Sequence, residues 1–218
     1  MYQMTTLKPD HIIYFVPNLD KAIDLFETKV GVRPEFGGQH PGRGSHNALL
    51  SLNNGSYIEI IAPDPTQPTP PNPRSFGMDN LNEPRLVTWA VGTPDIETAV
   101  NGSIAAGYNP GSILDSSRLR SDGVLMEWKL TRRPEATAGT TPQGDWLIPF
   151  LIDWGVTPHP SESSPAGCTL LEVKAIHPDP EPIRQMLAAM QVNCVVEKGE
   201  QVQLIAVLDT PNGQVELK

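Results

Sequence analysis

The sequence predicts an α+β fold of repeated β-α-β-β-β modules whose curved sheets surround a concave site. Three observations predict it. The apolar stretch His11-Ile12-Ile13-Tyr14-Phe15-Val16 runs straight into Pro17-Asn18-Leu19-Asp20 and an amphipathic helix. The same order recurs at Leu86–Val91 with Pro94-Asp95-Ile96-Glu97, and again at Thr169–Ile176 with Pro178-Asp179-Pro180-Glu181. Behind each helix come further strand-like runs, so the apolar period switches between 3.6 and 2 in a fixed order.

The first module spans 1–62. His11 to Val16 reads as a buried strand, stopped by Pro17. Asn18 caps the helix by accepting from its exposed N–H groups. Leu19, Ala22, Ile23, Phe26 and Val30 give that helix one apolar face, and Gly31 supplies its left-handed stop. Val32 to Phe36 is a short strand and residues 37–45 a glycine-rich loop. His46 to Leu52 and Tyr57 to Ala62 are strands joined by an Asn53-Asn54-Gly55 turn, whose residues tolerate positive φ.

A proline-rich linker, 63–84, separates this module from the second, 85–155. There Leu86 to Val91 is the first strand, and Ile96, Ala99, Val100 and Ile104 form a helix face ending at Gly107. Ser112–Ser116 and Val124–Leu130 are strands, Arg132 to Asp145 a polar loop, and Trp146 to Trp154 a strand broken at Pro149. The second linker is 156–167. The third, shorter module, 168–218, carries a strand to Ile176, a helix with Ile183, Met186, Leu187 and Met190, and strands at 194–197, 201–208 and 214–217.

A single module leaves one sheet face open, and two modules together make a cup that can hold a ligand. Modules one and two are expected to form it. The third would pack alongside or serve a homodimer.

The totals bound the function. With 218 residues the chain can bury a real core. A net charge of −9 disfavours both nucleic acid and an anionic membrane as partners. The 23 prolines cluster, and so mark linkers. Two cysteines, Cys168 and Cys194, read as free buried thiols of a reducing compartment. No apolar run approaches the roughly 20 residues of a membrane helix, and the first residues carry no apolar leader segment. A soluble cytoplasmic protein is expected, with a small-molecule ligand and no organic cofactor.

A β-α-β-β-β repeat with Asp10-His11 on the first strand and Tyr57-Ile58-Glu59-Ile60 on the fourth resembles the vicinal oxygen chelate superfamily. That superfamily includes glyoxalase I, extradiol dioxygenases, methylmalonyl-CoA epimerase and bleomycin resistance proteins. Three further stretches are similar to a bacterial glyoxalase-like domain family: His40-Pro41-Gly42-Arg43-Gly44-Ser45-His46-Asn47, Gly55-Ser56-Tyr57-Ile58-Glu59, and Phe150-Leu151-Ile152-Asp153-Trp154-Gly155 with His159-Pro160.

The resemblance implies a divalent metal (Zn, Fe, Mn, Ni or Co) held by His11 and Glu59, with open positions for substrate oxygens. The second module departs from it. Counting back from each proline that precedes a helix, His11 corresponds to Thr88, a poor ligand, and only Asp153 lies near the counterpart of Glu59. In the third module the same counting brings up Glu172 and Glu216. Without a metal, Glu59 would serve as a general base. His40, Arg43 and His46 surround the glycine-rich loop, where Arg43 could grip a carboxylate in bidentate fashion. Asn47 would line the cup, and Asp153 completes the expected substrate-binding set. The implied function is a lyase, isomerase or dioxygenase acting on a small oxygenated metabolite. The alternative is a metal-free protein that sequesters a small molecule.

Overall fold

The computed structural model describes residues 6–120, 123–133 and 145–218. Its element order is β1 (Pro9–Phe15), α1 (Leu19–Val30), β2 (Glu35–His40), β3 (Ser45–Ser51), β4 (Tyr57–Pro63), β5 (Arg85–Gly92), α2 (Ile96–Ala105), β6 (Ser112–Leu119), β7 (Leu125–Arg132), β8 (Phe150–Asp153), β9 (Thr169–His177), α3 (Pro180–Ala189), β10 (Val195–Lys198), β11 (Gln203–Thr210) and β12 (Gly213–Leu217).

The helices start and stop where local chemistry dictates. Asn18 accepts a hydrogen bond from the Lys21 N–H at 3.0 Å, and Gly31 closes α1 at φ 78°. Asp95 caps α2 in the same way through the Thr98 N–H. Asp179 makes no side-chain cap on α3; the Asp179 N–H donates instead to His177 Nδ1 at 3.0 Å. Asn53 and Asn54 take the positive φ expected of the β3–β4 turn.

One eight-stranded sheet contains both of the first two modules, in the order β2-β3-β4-β1-β5-β8-β7-β6. The halves mirror each other. In each, the first strand lies parallel to the last strand of its own module, and the two first strands meet antiparallel at the centre. The sheet curls into a half-barrel, bringing its edge strands β2 and β6 near each other.

The third repeat is strand-helix-strand like the others, but its topology differs. Its sheet runs β10-β9-β11-β12, so the strand before the helix is internal and pairs parallel with the strand just after it. The shared helix-start pattern therefore specifies the β-α unit and not the order of the strands that follow.

Side chains alternate across each strand. On one face of the large sheet, Ile12, Leu50, Ile58 and Trp89 join Phe26 of α1, Ile183 of α3 and Leu204 and Leu208 of β11 in one continuous core. The opposite, concave face has a smaller cluster of Ile13, Phe15, Ile61, Met78 and Val87. Burial on the first face holds the helices and the small sheet in place, and leaves the concave face to build a site.

Some expectations change. Residues 37–40 belong to β2, so the glycine-rich loop shrinks to a turn at 41–44. A bulge between Phe36 and Gly38 keeps this strand paired with β3 despite its glycines. Strand β6 runs on to Leu119, past the expected end at Ser116. A 3-10 turn at Asp145–Leu147 precedes β8, and another at Ser75–Asn80 lies within the first linker. Most of the polar loop expected at 132–145 lies outside the described residues. Cys168 is buried and Cys194 half-buried, both as free thiols. Among the described residues, no helix is long and apolar enough to cross a membrane.

Candidate functional site

A cavity of about 120 Å³ opens on the concave face between the two halves of the large sheet. Strand register dictates its inner wall. In the parallel β1–β4 pair, His11 lies opposite Tyr57 and Ile13 opposite Glu59, so all four project to the same side. Ser45, Asn47 and Leu49 of β3 continue this wall. The second half adds Trp128 and Leu130 from β7, Phe150 and Ile152 from β8, and Trp154 beyond it. Ser75 and Phe76 of the first linker close one side.

His11 is 3% exposed and held from three sides. Its ring stacks on Tyr57 with centroids 4.6 Å apart, and Phe150 meets it edge-on. Its Nδ1 lies 2.7 Å from Asp10 Oδ1. Asp10 also accepts from Trp154 Nε1 at 3.1 Å and contacts His159 Nε2 at 3.1 Å. Burial alone would raise the pKa of Asp10, but the hydrogen bonds and charges of His11 and His159 outweigh it and bring the group down to about 2. Asp10 is thus a carboxylate at neutral pH and only accepts. It therefore fixes a proton of His11 on Nδ1, so that in the neutral ring the lone pair lies on Nε2. Among the described residues no side chain bonds that Nε2.

A second cluster surrounds Glu59. Asn47 Nδ2 donates to Glu59 Oε1 at 2.7 Å, and Asn47 Oδ1 accepts from Arg118 Nη1 at 3.0 Å. His40 Nε2 lies 3.7 Å from the same Glu59 oxygen, and its Nδ1 contacts Ser45 Oγ at 2.8 Å. Burial holds the His40 pKa down to about 4, against the pull of Glu59, so its imidazole is neutral at pH 7. Arg43 lines the mouth and donates to Ser116 Oγ at 2.9 Å.

The structure brings together His11, His40, Arg43, Asn47 and Glu59, and leaves out the other two sequence candidates. His46 projects away from the cavity; its ring meets Phe36 edge-on and lies 4.0 Å from Asp64. Asp153 serves the start of α2, accepting from the N–H groups of Ile96 and Gly155. Glu172 and Glu216 are exposed on the separate small sheet. His159 has a side chain only 18% exposed, docked on Asp10.

Sequence reading missed Asp10, Tyr57 and Arg118 as site residues. Asp10 and Tyr57 were within reach of alternation, being the neighbour of His11 and the residue two before Glu59. Arg118 was hidden because β6 ends later than its apolar pattern does. Among the tryptophans, Trp89 and Trp146 are core, while Trp128 and Trp154 form cavity wall.

The donor set for a metal is short. By register, Ala90 pairs with Phe150 as Ile13 pairs with Glu59, so Phe150 occupies the place of Glu59 in the second half. That half presents aromatic and aliphatic groups to the cavity, apart from Ser117 and Arg118. Among the described residues no three His, Cys, Asp or Glu side chains come together as a metal-holding group. Zinc and non-haem iron sites ask for three or more protein ligands. The residues present do not fit the superfamily's metal.

Two mirrored modules in one half-barrel sheet, with a site on its concave face, define a vicinal oxygen chelate fold. The sequence profile of the glyoxalase-like domain matches residues 10–190, and the chain belongs to that family. No curated protein matches it. A hypothetical protein from Staphylococcus aureus has a similar crystal structure, with a TM-score of 0.67 at 15% identity, over 92% of this chain and 90% of that one. Methylmalonyl-CoA epimerase from Mycobacterium tuberculosis matches over 70% of this chain and 92% of its own, with 15% identity and a TM-score of 0.43. The Streptomyces coelicolor epimerase, solved with 2-nitronate-propionyl-CoA, matches over 70% and 100%, with 16% identity and a TM-score of 0.45. At 15% identity the Staphylococcus aureus structure shows a shared fold only.

Proposed function

We propose that this chain is an enzyme of the isomerase or lyase type that moves a proton on a small oxygenated metabolite, with His11 as general base. One observation carries this reading: a buried imidazole whose Nδ1 is engaged by a carboxylate and whose Nε2 has no protein partner among the described residues, in the wall of a cavity. Such a nitrogen can take a proton from carbon next to a carbonyl. Asp10 does not touch the substrate. It positions the ring and stabilises the imidazolium as it forms, by about 1.5–3 kcal/mol for a hydrogen bond to a charged group.

The rest of the wall suits such a step. Stacking on Tyr57 keeps the His11 ring from turning. Arg43 at the mouth supplies a positive charge able to stabilise a carbonyl oxygen that gains negative charge. Glu59, oriented by Asn47, is a second group able to exchange protons with the substrate from the neighbouring strand. No step here requires a metal, in keeping with the short donor set. The cavity is small beside the 300–1,000 Å³ of typical ligand pockets, which favours a compact metabolite.

The aromatic wall of Trp128, Trp154 and Phe150 supports a second reading, a protein that sequesters a small molecule without reacting. Deuterium exchange separates the two. Small ketones, hydroxyketones and 2-oxo acids are incubated with the protein in D₂O and followed by proton NMR. The enzyme reading expects catalysed exchange beside a carbonyl that is lost in His11→Gln. Tight binding with no exchange in any member favours sequestration.

A further inference from the structure

Arg118 is 7% exposed, yet among the described residues its guanidinium bonds only Asn47 Oδ1 at 3.0 Å and the sulfur of Met126 at 3.8 Å. Among the described residues no carboxylate lies within ion-pairing distance of it. Burying a charge is costly unless it is paired and hydrogen-bonded. A guanidinium has five N–H donors, and one good acceptor leaves most of them unused.

Its location says what the missing acceptor is. Arg118 lies in the wall of the main cavity and also in that of an adjoining groove of about 60 Å³. It therefore borders the space that a ligand would fill. The backbone at Gly37 leaves room for the Asn47–Arg118 pair. A Cβ on Gly37 would fall 2.5 Å from Asn47 Oδ1 and 3.1 Å from Arg118 Nη1, so a side chain there would displace both. Charge points the same way. The protein carries −9 overall, but the cavity is lined by two arginines, Arg43 and Arg118, against the single carboxylate of Glu59. Glu59 does not answer Arg118 directly, because Asn47 stands between them.

We propose that Arg118 is the carboxylate-binding residue of this cavity, and that the metabolite is a small carboxylic acid whose carboxylate docks on the guanidinium with its reactive carbon toward His11. This deepens the proposed function and rests on the cavity being a substrate site. The planar fork of a guanidinium matches the two oxygens of a carboxylate or of a phosphate, and the small cavity of about 120 Å³ is what favours the flatter, smaller carboxylate. Aromatic residues from the second half of the sheet face the rest of the molecule.

The test uses the full-length protein and defined probes. Binding of pyruvate, phenylpyruvate and 2-phenylpropionate is measured by calorimetry or tryptophan fluorescence, alongside their uncharged amides and inorganic phosphate. The acids should bind at least about tenfold more tightly than the amides, a factor expected for charge-assisted bonds to a buried guanidinium. Phosphate should not compete at equal concentration. Arg118→Lys keeps the charge but loses the fork, and should weaken the acids about tenfold or more while leaving the amides unchanged. Equal binding of acids and amides, preference for phosphate, or undiminished acid binding in a folded Arg118→Lys protein would each overturn the assignment. If Arg118→Lys does not fold, the wild-type comparison of acids with amides decides. The two proposals fail separately. Acids that bind through Arg118 without deuterium exchange refute the proton-transfer reading alone. Exchange on neutral ketones with no preference for acids refutes the carboxylate assignment alone.

Discussion

Asp10→Asn removes a charge on which His11 Nδ1, Trp154 Nε1 and His159 Nε2 converge. The carboxyl ionises at about 2 in the folded protein, against 3.8 as its ordinary value, despite burial that opposes ionisation. A gap of about 1.8 units at 1.36 kcal/mol per unit makes its ionisation worth about 2 kcal/mol of folding stability. The sign follows from the folded value lying below the unfolded one. The contribution is complete above about pH 4, and is lost as pH falls toward 2. Asn keeps the shape and one acceptor oxygen but loses the charge. At this chain length, about 2 kcal/mol corresponds to a drop of roughly 4–8 °C in Tm. Urea unfolding of both proteins should give a stability gap of about 2 kcal/mol at pH 7 that shrinks by more than half near pH 2. An unchanged gap at the two pH values would refute the reasoning, because Asp10 would then contribute through packing and not through charge.

The remaining predictions probe other parts of the site. His40 shifts stability in the same direction, in a higher pH window. Burial holds it neutral down to about pH 4, so as pH falls from 6.5 the unfolded chain gains a proton that the folded protein refuses. About 3 kcal/mol should be lost across that window; His40→Gln should flatten it in pH-dependent melts, and an unaltered profile would count against a buried neutral His40. Gly37→Ala places a Cβ 2.5 Å from Asn47 Oδ1 and should cost about 1–3 kcal/mol while weakening ligand binding; unchanged melting and affinity would show that the bulge gives way freely. Treatment with a chelator should leave ligand affinity and folding as they were, because the cavity offers too few protein donors. Stoichiometric metal in the purified protein, lost in His11→Ala, would contradict that.

Much of the architecture was legible because it is written in local chemistry. Asn18, Gly31 and Asp95 mark helix ends by satisfying or redirecting backbone groups, and those signals need no tertiary context. Alternation likewise put Glu59 on the face opposite Ile58 and Ile60. The third module shows the limit. Its β-α start reads like the others, yet β10 returns beside β9, because strand order depends on which sheet edge is free when the chain arrives. The site was legible on one side only. His11 and Glu59 lie on adjacent strands of one module, so register alone brings them together. Arg118 and His159 reach them from more than a hundred residues away in sequence from His11, through curvature and a linker that no periodicity records. Asp153 and His46 were misleading for a related reason. A carboxylate or imidazole beside a motif is as readily spent on a helix start or a neighbouring surface as on a cavity.

The direct measurement is nitrogen-15 NMR of the histidine rings, with the His11 signals assigned by their loss in His11→Gln. This technique distinguishes a protonated ring nitrogen from a bare one. A proton on Nδ1 and a bare Nε2, with the Nε2 signal perturbed when a small carboxylic acid is added, is what an oriented base in a ligand cavity must give. A proton resting on Nε2, or an Nε2 indifferent to every acid that binds, would contradict it.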